Sequence, residues 1–365
     1  MKAIVLAGGY ATRLRPISYA LPKLLFPVLG KPMIYRTLDL LQSVGVEEVT
    51  LAVNYMAEKL RAEVGSVYNG VIVNYSLETE PLGTAGPIKL ASKNTQLDET
   101  FLALNGDILA QIDLKQMLVQ HKKAGAQITD ALHEVKNPGR FGAVELDTKN
   151  RIQRFVEKPA KKQAPSRLVN AGIYVVEPEI LEMIPDDRKV SLEREIFPTV
   201  ATNGKLLGFP FSGDWFDIGN LTDYRKANLS LLAEAEAEAK LPNETRNLAI
   251  EYSVRKPIFV GNNARIGKGA VLGPEVMVGQ NDVIHEGARV SKSILFDRVT
   301  VGEKAVIAGS IIASDVIIGK KARIDNGCVI SPNVRISEGI RIGRGTIIHP
   351  YKEIERNAKP ESHLM

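Results

Sequence analysis

The sequence predicts two successive architectures, a doubly wound α/β sheet over residues 1–230 and a parallel β-helix over residues 250–350. Three observations lead there. In the first half, short apolar runs alternate with segments of helical period, the pattern of strands and helices taking turns. In the second half aliphatic residues return every six positions, as they do in stacked β-helix coils. Between the two, residues 221–241 hold strong helix formers with no glycine or proline, which marks a connecting helix and linker over 221–248.

At 365 residues, either part is long enough to bury a core. A single cysteine, Cys328, cannot form an internal disulfide, so a reducing, cytoplasmic setting is expected. The run after Lys2 is too short for a signal peptide, and no run reaches membrane-spanning length. The net charge of +5 has no long basic run or aromatic ladder behind it, so phosphorylated small molecules fit better than nucleic acid.

The first strand, Lys2-Ala3-Ile4-Val5-Leu6-Ala7, feeds Gly8-Gly9. Paired glycines let backbone N–H groups approach a ligand, and Arg13, Arg15 and Lys23 surround them with positive charge. This reads as a cradle for a nucleoside triphosphate. It is not a P-loop, because Gly30-Lys31 is followed by Pro32, and no Gly-x-Gly-x-x-Gly follows the strand. The glycines alone also admit a plain turn ringed by surface cations.

Ile34, Leu38 and Leu41 give a helix, residues 48–53 a strand, 56–64 a helix, 71–75 a strand, 88–91 a helix and 100–104 a strand. In such sheets ligands lie beyond the carboxyl ends of the strands. Three loops start there: Gly8-Gly9, residues 78–86, and Asn105-Gly106-Asp107.

Gly8-Gly9-Tyr10-Ala11-Thr12-Arg13-Leu14-Arg15-Pro16 with Pro22-Lys23 resembles the signature of the sugar-1-phosphate nucleotidylyltransferases. Ala11 replaces that signature's third glycine, and its methyl limits backbone freedom. Leu82-Gly83-Thr84-Ala85-Gly86 resembles the mannose-1-phosphate guanylyltransferase branch. The resemblance implies that Leu6, Gly8, Gly9, Thr12, Glu78, Gly83 and Thr84 bind the nucleotide, Glu78 and Gly83 at the base. A carboxylate suits guanine, which offers two donors on one edge. Family spacing to Gly83 selects Glu78 over Glu80; both would otherwise be ordinary loop carboxylates.

The resemblance further gives Asp107 and Asp217, in Asp214-Trp215-Phe216-Asp217, to a Mg²⁺ ion. Segments 141–145, 156–159 and 170–174 resemble the family's sugar-binding lid. By position, Gly142, Glu157 and Asn170 would hold sugar hydroxyls and Lys158 the sugar phosphate. Residues 191–198 also look like the mannose branch, with no chemical role assigned. The implied reaction joins an NTP, GTP favoured, to a sugar 1-phosphate, giving the nucleotide sugar and pyrophosphate. Arg13 and Lys23 would act on the triphosphate. A UDP- or dTDP-sugar enzyme, a bifunctional acetyltransferase and a non-catalytic regulatory subunit are the alternatives.

Among remaining landmarks, Trp215 reads as a core plug, and His121 and His133 as surface or strand histidines without metal spacing. His285 and His349 fall at turns of the repeat. The repeat runs from Val260 through Leu272, Ile284 and Val290, shifts, and continues from Leu295 through Ile312, Ile324 and Ile336 to Ile348. Similarity to hexapeptide-repeat proteins implies a left-handed coil. Small residues such as Ala270, Ala288, Ala305 and Cys328 fill inward positions, so Cys328 is expected to be inert. Flat faces and open ends point to self-association as a homo-oligomer. Residues 351–365 read as a loose charged tail.

Overall fold

The computed structural model describes residues 1–160, 163–186, 188–237 and 252–365. Two compact units emerge: Met1–Tyr10 with Met33–Ile218, and Ala11–Pro32 with Gly219–Met365.

The first unit is a mixed α/β sheet. Its strands are β1 (Lys2–Leu6), β2 (Glu48–Val53), β3 (Val71–Leu77), β4 (Phe101–Asn105), β5 (Ile108–Ala110) and β6 (Ile128–Glu134). They continue as β7 (Gly142–Leu146), β8 (Ile152–Glu157), β9 (Leu168–Val176), β10 (Leu206–Phe211) and β11 (Trp215–Asp217). The main path runs β8-β7-β9-β4-β1-β2-β3 and ends on the short antiparallel strand Val67–Tyr68, and β6 joins β9 to β10. The centre is parallel, β4-β1-β2-β3, as the alternation predicts. β9 enters antiparallel to both β4 and β6, and β5 pairs with β11 apart from the main sheet.

Helices α1 (Met33–Gln42), α2 (Ala57–Val64), α3 (Gly86–Ser92), α4 (Leu114–Ala124) and α5 (Phe197–Thr202) cover this unit. α1 buries Ile34, Leu38 and Leu41 along one stripe. Asp113 caps α4 by accepting from the Gln116 N–H, and Gly125 ends it in a left-handed turn. One core packs Ile88 and Ala91 of α3 and Phe197 and Val200 of α5 with Ile4, Ala103, Leu132 and Tyr174. His121 is not at the surface. It is fully buried, with Nδ1 2.7 Å from Thr129 Oγ1 and Nε2 2.9 Å from Glu177 Oε1. Two specific partners make burial of a polar ring affordable there.

The second unit contains α6 (Leu221–Ala237) and the β-helix. The expected helix end at residue 241, Pro242-Asn243-Glu244 and the rest of the linker lie outside the described residues. Residues 11–32 group here rather than with β1, which departs from a boundary at residue 230. Aromatic packing is the reason. Phe26, Tyr224 and Phe296 meet edge to face with centroids 5.6, 5.7 and 5.9 Å apart. Tyr224 Oη donates to the Pro27 carbonyl, and Asn228 Oδ1 accepts from the Leu29 N–H at 3.2 Å.

The repeat forms three sheets of six, seven and six short strands, parallel throughout and consistent with the expected left-handed β-helix. Ile266 pairs with Ile284, but Ile284 pairs with Val301 and Val301 with Ile318, so the coil shortens from 18 to 17 residues twice. That is the shift read in the repeat. Cys328 is buried, its thiol reaches the Gly343 carbonyl at 3.2 Å, and burial raises its pKa.

The tail expectation is overturned. Glu353–Ile354 pairs with Arg335–Ile336, and His363–Leu364 pairs with Ile347–Ile348, so residues 351–365 extend the coil. Ile354 falls six residues after Ile348 and Ala358 four after that, which is the repeat's own spacing. Among the described residues no helix is long and apolar enough to cross a membrane.

Candidate active site

Within the first unit, most of the expected residues gather at the carboxyl ends of the central strands. Leu6 lies between Ala52 and Asn105 in register, and its carbonyl accepts from the Gly106 N–H at 2.9 Å. Beyond Leu6, a Cβ on Gly8 would stand 2.5 Å from Glu78 Oε1. The bare glycine therefore admits the carboxyl group over the strand tip.

Glu78 is buried, whereas Glu80 is exposed. Glu78 Oε2 accepts from the Leu82 N–H at 3.1 Å, which ties the carboxyl to the 78–86 loop. Burial raises its pKa, partly offset by that hydrogen bond. Gly83 takes a φ of +87° and packs against the Val190 carbonyl, an approach no side chain permits. Thr84 and Ala85 both donate their N–H groups to Val190 O at 3.0 Å.

Asp107 precedes β5, and Asp217 ends β11 opposite Ile108. The Ile218 N–H donates to the Asp107 carbonyl at 3.2 Å, so the two aspartates, 110 positions apart in the chain, occupy neighbouring strand ends. Both are half-buried. Among the described residues no cluster of three or more His, Cys, Asp or Glu stands at metal distance. A Mg²⁺ site served by one or two carboxylates and completed by phosphate and water needs no third protein ligand, so this donor set fits one.

The lid segments also meet. Gly142 pairs with Glu157, and Ala143 pairs with Val169, next to Asn170. Lys158 is exposed with a φ of +47°, and its Nζ lies 3.2 Å from Glu157 Oε1. A long side chain held in the left-handed region at an expected ligand position is the kind of strain that clusters at functional sites. Asn170 Oδ1 accepts from the Gly172 N–H at 2.6 Å.

Thr12, Arg13 and Lys23 belong to the second unit. Ala11 adopts the left-handed φ of 45° despite its methyl, and its carbonyl accepts from the Leu14 N–H at 2.9 Å and from Ser18 Oγ at 2.9 Å. Those bonds hold the conformation a glycine would take freely. Thr12 and Arg13 open the following 3-10 turn, and Arg13 lies over the open face of Gly219, with Nη2 3.1 Å from where a Cβ would be. Lys23 begins the third such turn of this segment, Lys23–Leu25, after Ile17–Tyr19.

Two residues near the site make contacts that sequence reasoning did not foresee. Trp215 is not a sealed core plug: it is half-buried, its ring lies 5.5 Å from that of His133 at a 32° tilt, and it donates Nε1–H to the Ala171 carbonyl at 3.0 Å, bracing the Asn170 segment. Glu193 accepts from Thr84 Oγ1 at 2.7 Å and from Tyr174 Oη at 3.4 Å. The sequence marked only its segment, residues 191–198, and gave it no chemical role.

Known proteins match both parts of the chain. Residues 2–234 match the family described as Nucleotidyl transferase, and residues 254–363 match the GMPPB C-terminal domain. The chain is 35% identical over 307 residues to mannose-1-phosphate guanylyltransferase 1 of Arabidopsis thaliana, covering 82% of each chain. It is 34% identical over 304 residues to mannose-1-phosphate guanyltransferase of Pichia angusta, covering 81% of each. HddC of Yersinia pseudotuberculosis, solved in complex with GMP-PN, superposes with a TM-score of 0.52 at 29% identity, over 63% of this chain and 99% of that one. With a matched catalytic fold and near full-length relatives, the chain belongs to the nucleotidyl transferase family, as a sugar-1-phosphate nucleotidylyltransferase.

Proposed function

We propose that this enzyme transfers the guanylyl group of GTP to mannose 1-phosphate, giving GDP-mannose and pyrophosphate. The observation that carries the choice of base is the buried Glu78 carboxyl, anchored on Leu82 and seated over Gly8. Ionised, it accepts from both N1–H and the exocyclic amine of guanine. Relatives named mannose-1-phosphate guanylyltransferases support the choice of sugar.

The sugar phosphate is the nucleophile. Its second pKa is near 6, so at neutral pH it is largely a dianion and needs no general base. Its oxygen bonds to the α-phosphorus as the bond to the bridging oxygen of the β-phosphate breaks, and pyrophosphate carries that electron pair away. The protein's task is to bring two anions together and stabilise the in-line transition state. Lys158 neutralises the incoming phosphate, with Gly142, Glu157 and Asn170 holding the sugar. Arg13 and Lys23 are assigned to the triphosphate by motif order. Asp107 and Asp217 would hold Mg²⁺. When bound, such an ion offsets charge on the phosphate oxygens.

This reading places the enzyme among cytoplasmic nucleotide-sugar pools, without nucleic-acid partners. The unpaired outer edges of Glu353–Ile354 and His363–Leu364 support self-association through the β-helix. The test pairs GTP, UTP, dTTP, CTP and ATP with mannose and glucose 1-phosphates and measures pyrophosphate release. GTP with mannose 1-phosphate is expected to give the highest kcat/KM. A preference for UTP or dTTP with glucose 1-phosphate overturns the assignment.

A further inference from the structure

We infer that Glu193 is a positioning residue that couples the base loop to the sugar-holding strand, through Thr84 on one side and through Tyr174 and Asn170 on the other. This rests on the reading above, in which Thr84 borders the nucleotide and Asn170 the sugar.

The two arms are continuous chains of hydrogen bonds. Glu193 Oε2 accepts from Thr84 Oγ1 at 2.7 Å and from Ser191 Oγ at 2.6 Å. The same threonine oxygen accepts from the Leu192 N–H at 2.8 Å, so both capacities of the hydroxyl are spent on this segment. The other carboxylate oxygen, Oε1, accepts from Tyr174 Oη at 3.4 Å. Tyr174 Oη in turn accepts from Asn170 Nδ2 at 2.9 Å, and Asn170 Oδ1 accepts from the Gly172 N–H at 2.6 Å. One side chain thus joins the loop at Thr84 to the strand at Asn170, 86 positions apart in the sequence.

An ionised carboxylate suits this place better than other acceptors. Three hydroxyl donors converge on Glu193, and only a group with acceptors on both oxygens serves all three. Asp130, on the strand beside Tyr174, is fully buried and both its carboxyl oxygens lack a hydrogen-bond partner. Burial raises the Asp130 pKa well above the ordinary carboxylate value, with the Glu193 charge adding to the effect. Glu193 is the second residue of a π-helical turn, Leu192–Ile196, a rare conformation that is frequent at functional sites.

A helix cap would contribute to stability alone, whereas a coupling residue changes substrate affinity. Glu193→Gln separates the two. Its amide oxygen still accepts from Thr84 and Ser191, but its NH₂ faces a tyrosine hydroxyl that already has a donor. We expect KM for mannose 1-phosphate to rise about tenfold, the scale of one lost hydrogen bond, with KM for GTP and the melting temperature little changed. Tyr174→Phe removes one oxygen from the same arm and should match it, and the double variant should be no worse than either single. Unchanged sugar KM in both singles, equal rises in both KM values, or multiplying effects in the double variant overturn the coupling. If the wild-type chain turns over no NTP and sugar pair, the proposed function fails instead. Hydrogen exchange over residues 168–172 then decides the coupling: faster in both variants if the network holds the strand, unchanged if it does not.

Discussion

Glu78 Oε1 lies 2.5 Å from where a Cβ on Gly8 would stand, so the first strand and the base loop share one small space. Gly8→Ala forces the carboxyl group aside, because the backbone just before it is held by the Ala7 N–H bond to the Ala52 carbonyl at 2.8 Å. We expect KM for GTP to rise at least tenfold and stability to fall by about 1–3 kcal/mol, as for other overpacked sites. Steady-state kinetics beside thermal unfolding checks both. Unchanged nucleotide affinity would remove Glu78 from base recognition.

Acidification should act on the same contact. Burial raises the Glu78 pKa above its ordinary 4.5, and guanine requires the ionised form. KM for GTP should therefore climb as pH falls toward that raised value, at a higher pH than a solvated glutamate gives. Glu78→Gln should lose this dependence. The measurement is a pH series of KM between pH 5 and 8, with mannose 1-phosphate saturating.

Asp107 and Asp217 sit at adjoining strand ends, linked through the Ile218 amide. Replacing either by Asn keeps its shape and removes its charge. Turnover is expected to fall by more than 100-fold, with an unfolding change within about 1 kcal/mol. Titration with Mg²⁺ is the second readout, since the variants should need more of it. A near wild-type rate would take them out of the mechanism.

The strand order and the repeat were legible because both depend on local periodicity. That Leu6 and Asp107 fall at strand ends was legible, because an apolar run stops at each of those points. Contacts between distant segments were not. Nothing in the local pattern of Phe26 announces Tyr224 and Phe296, yet those rings group residues 11–32 with the second unit. Glu193 was hidden for the same reason: its partners Thr84 and Tyr174 are chosen by tertiary packing. The final coil was missed differently. Ile354 and Ala358 keep the spacing, but the charged residues between them mask it.

Asp130 offers a stability test that involves no substrate. Its folded pKa is raised well above the ordinary 3.8 by burial and then by the Glu193 charge. The folded chain thus keeps a proton there that the unfolded chain releases above 3.8. Stability from this group is fullest below that pH and declines as pH rises toward the folded value. Asp130→Asn cannot ionise, so the melting-temperature difference, variant minus wild type, should grow in the variant's favour from pH 4.5 to 7.5. A constant difference would mean the carboxyl stays ionised in the fold.

Residues 351–365 provide the last test, because a loose tail and a terminal coil respond oppositely to removal. Deleting residues 352–365 strips the parallel partners from Arg335–Ile336 and Ile347–Ile348 and uncovers Ile342, which now pairs with Ala358. In a stacked coil the loss is confined to the neighbouring rung, since each coil contacts only the next. Exposing the aliphatic side chains that Ile354 covers should cost about 2–4 kcal/mol and lower the melting temperature of the β-helix. Exchange should quicken first over residues 335–348, while the α/β sheet keeps its protection. An unaltered melting temperature would restore the loose tail.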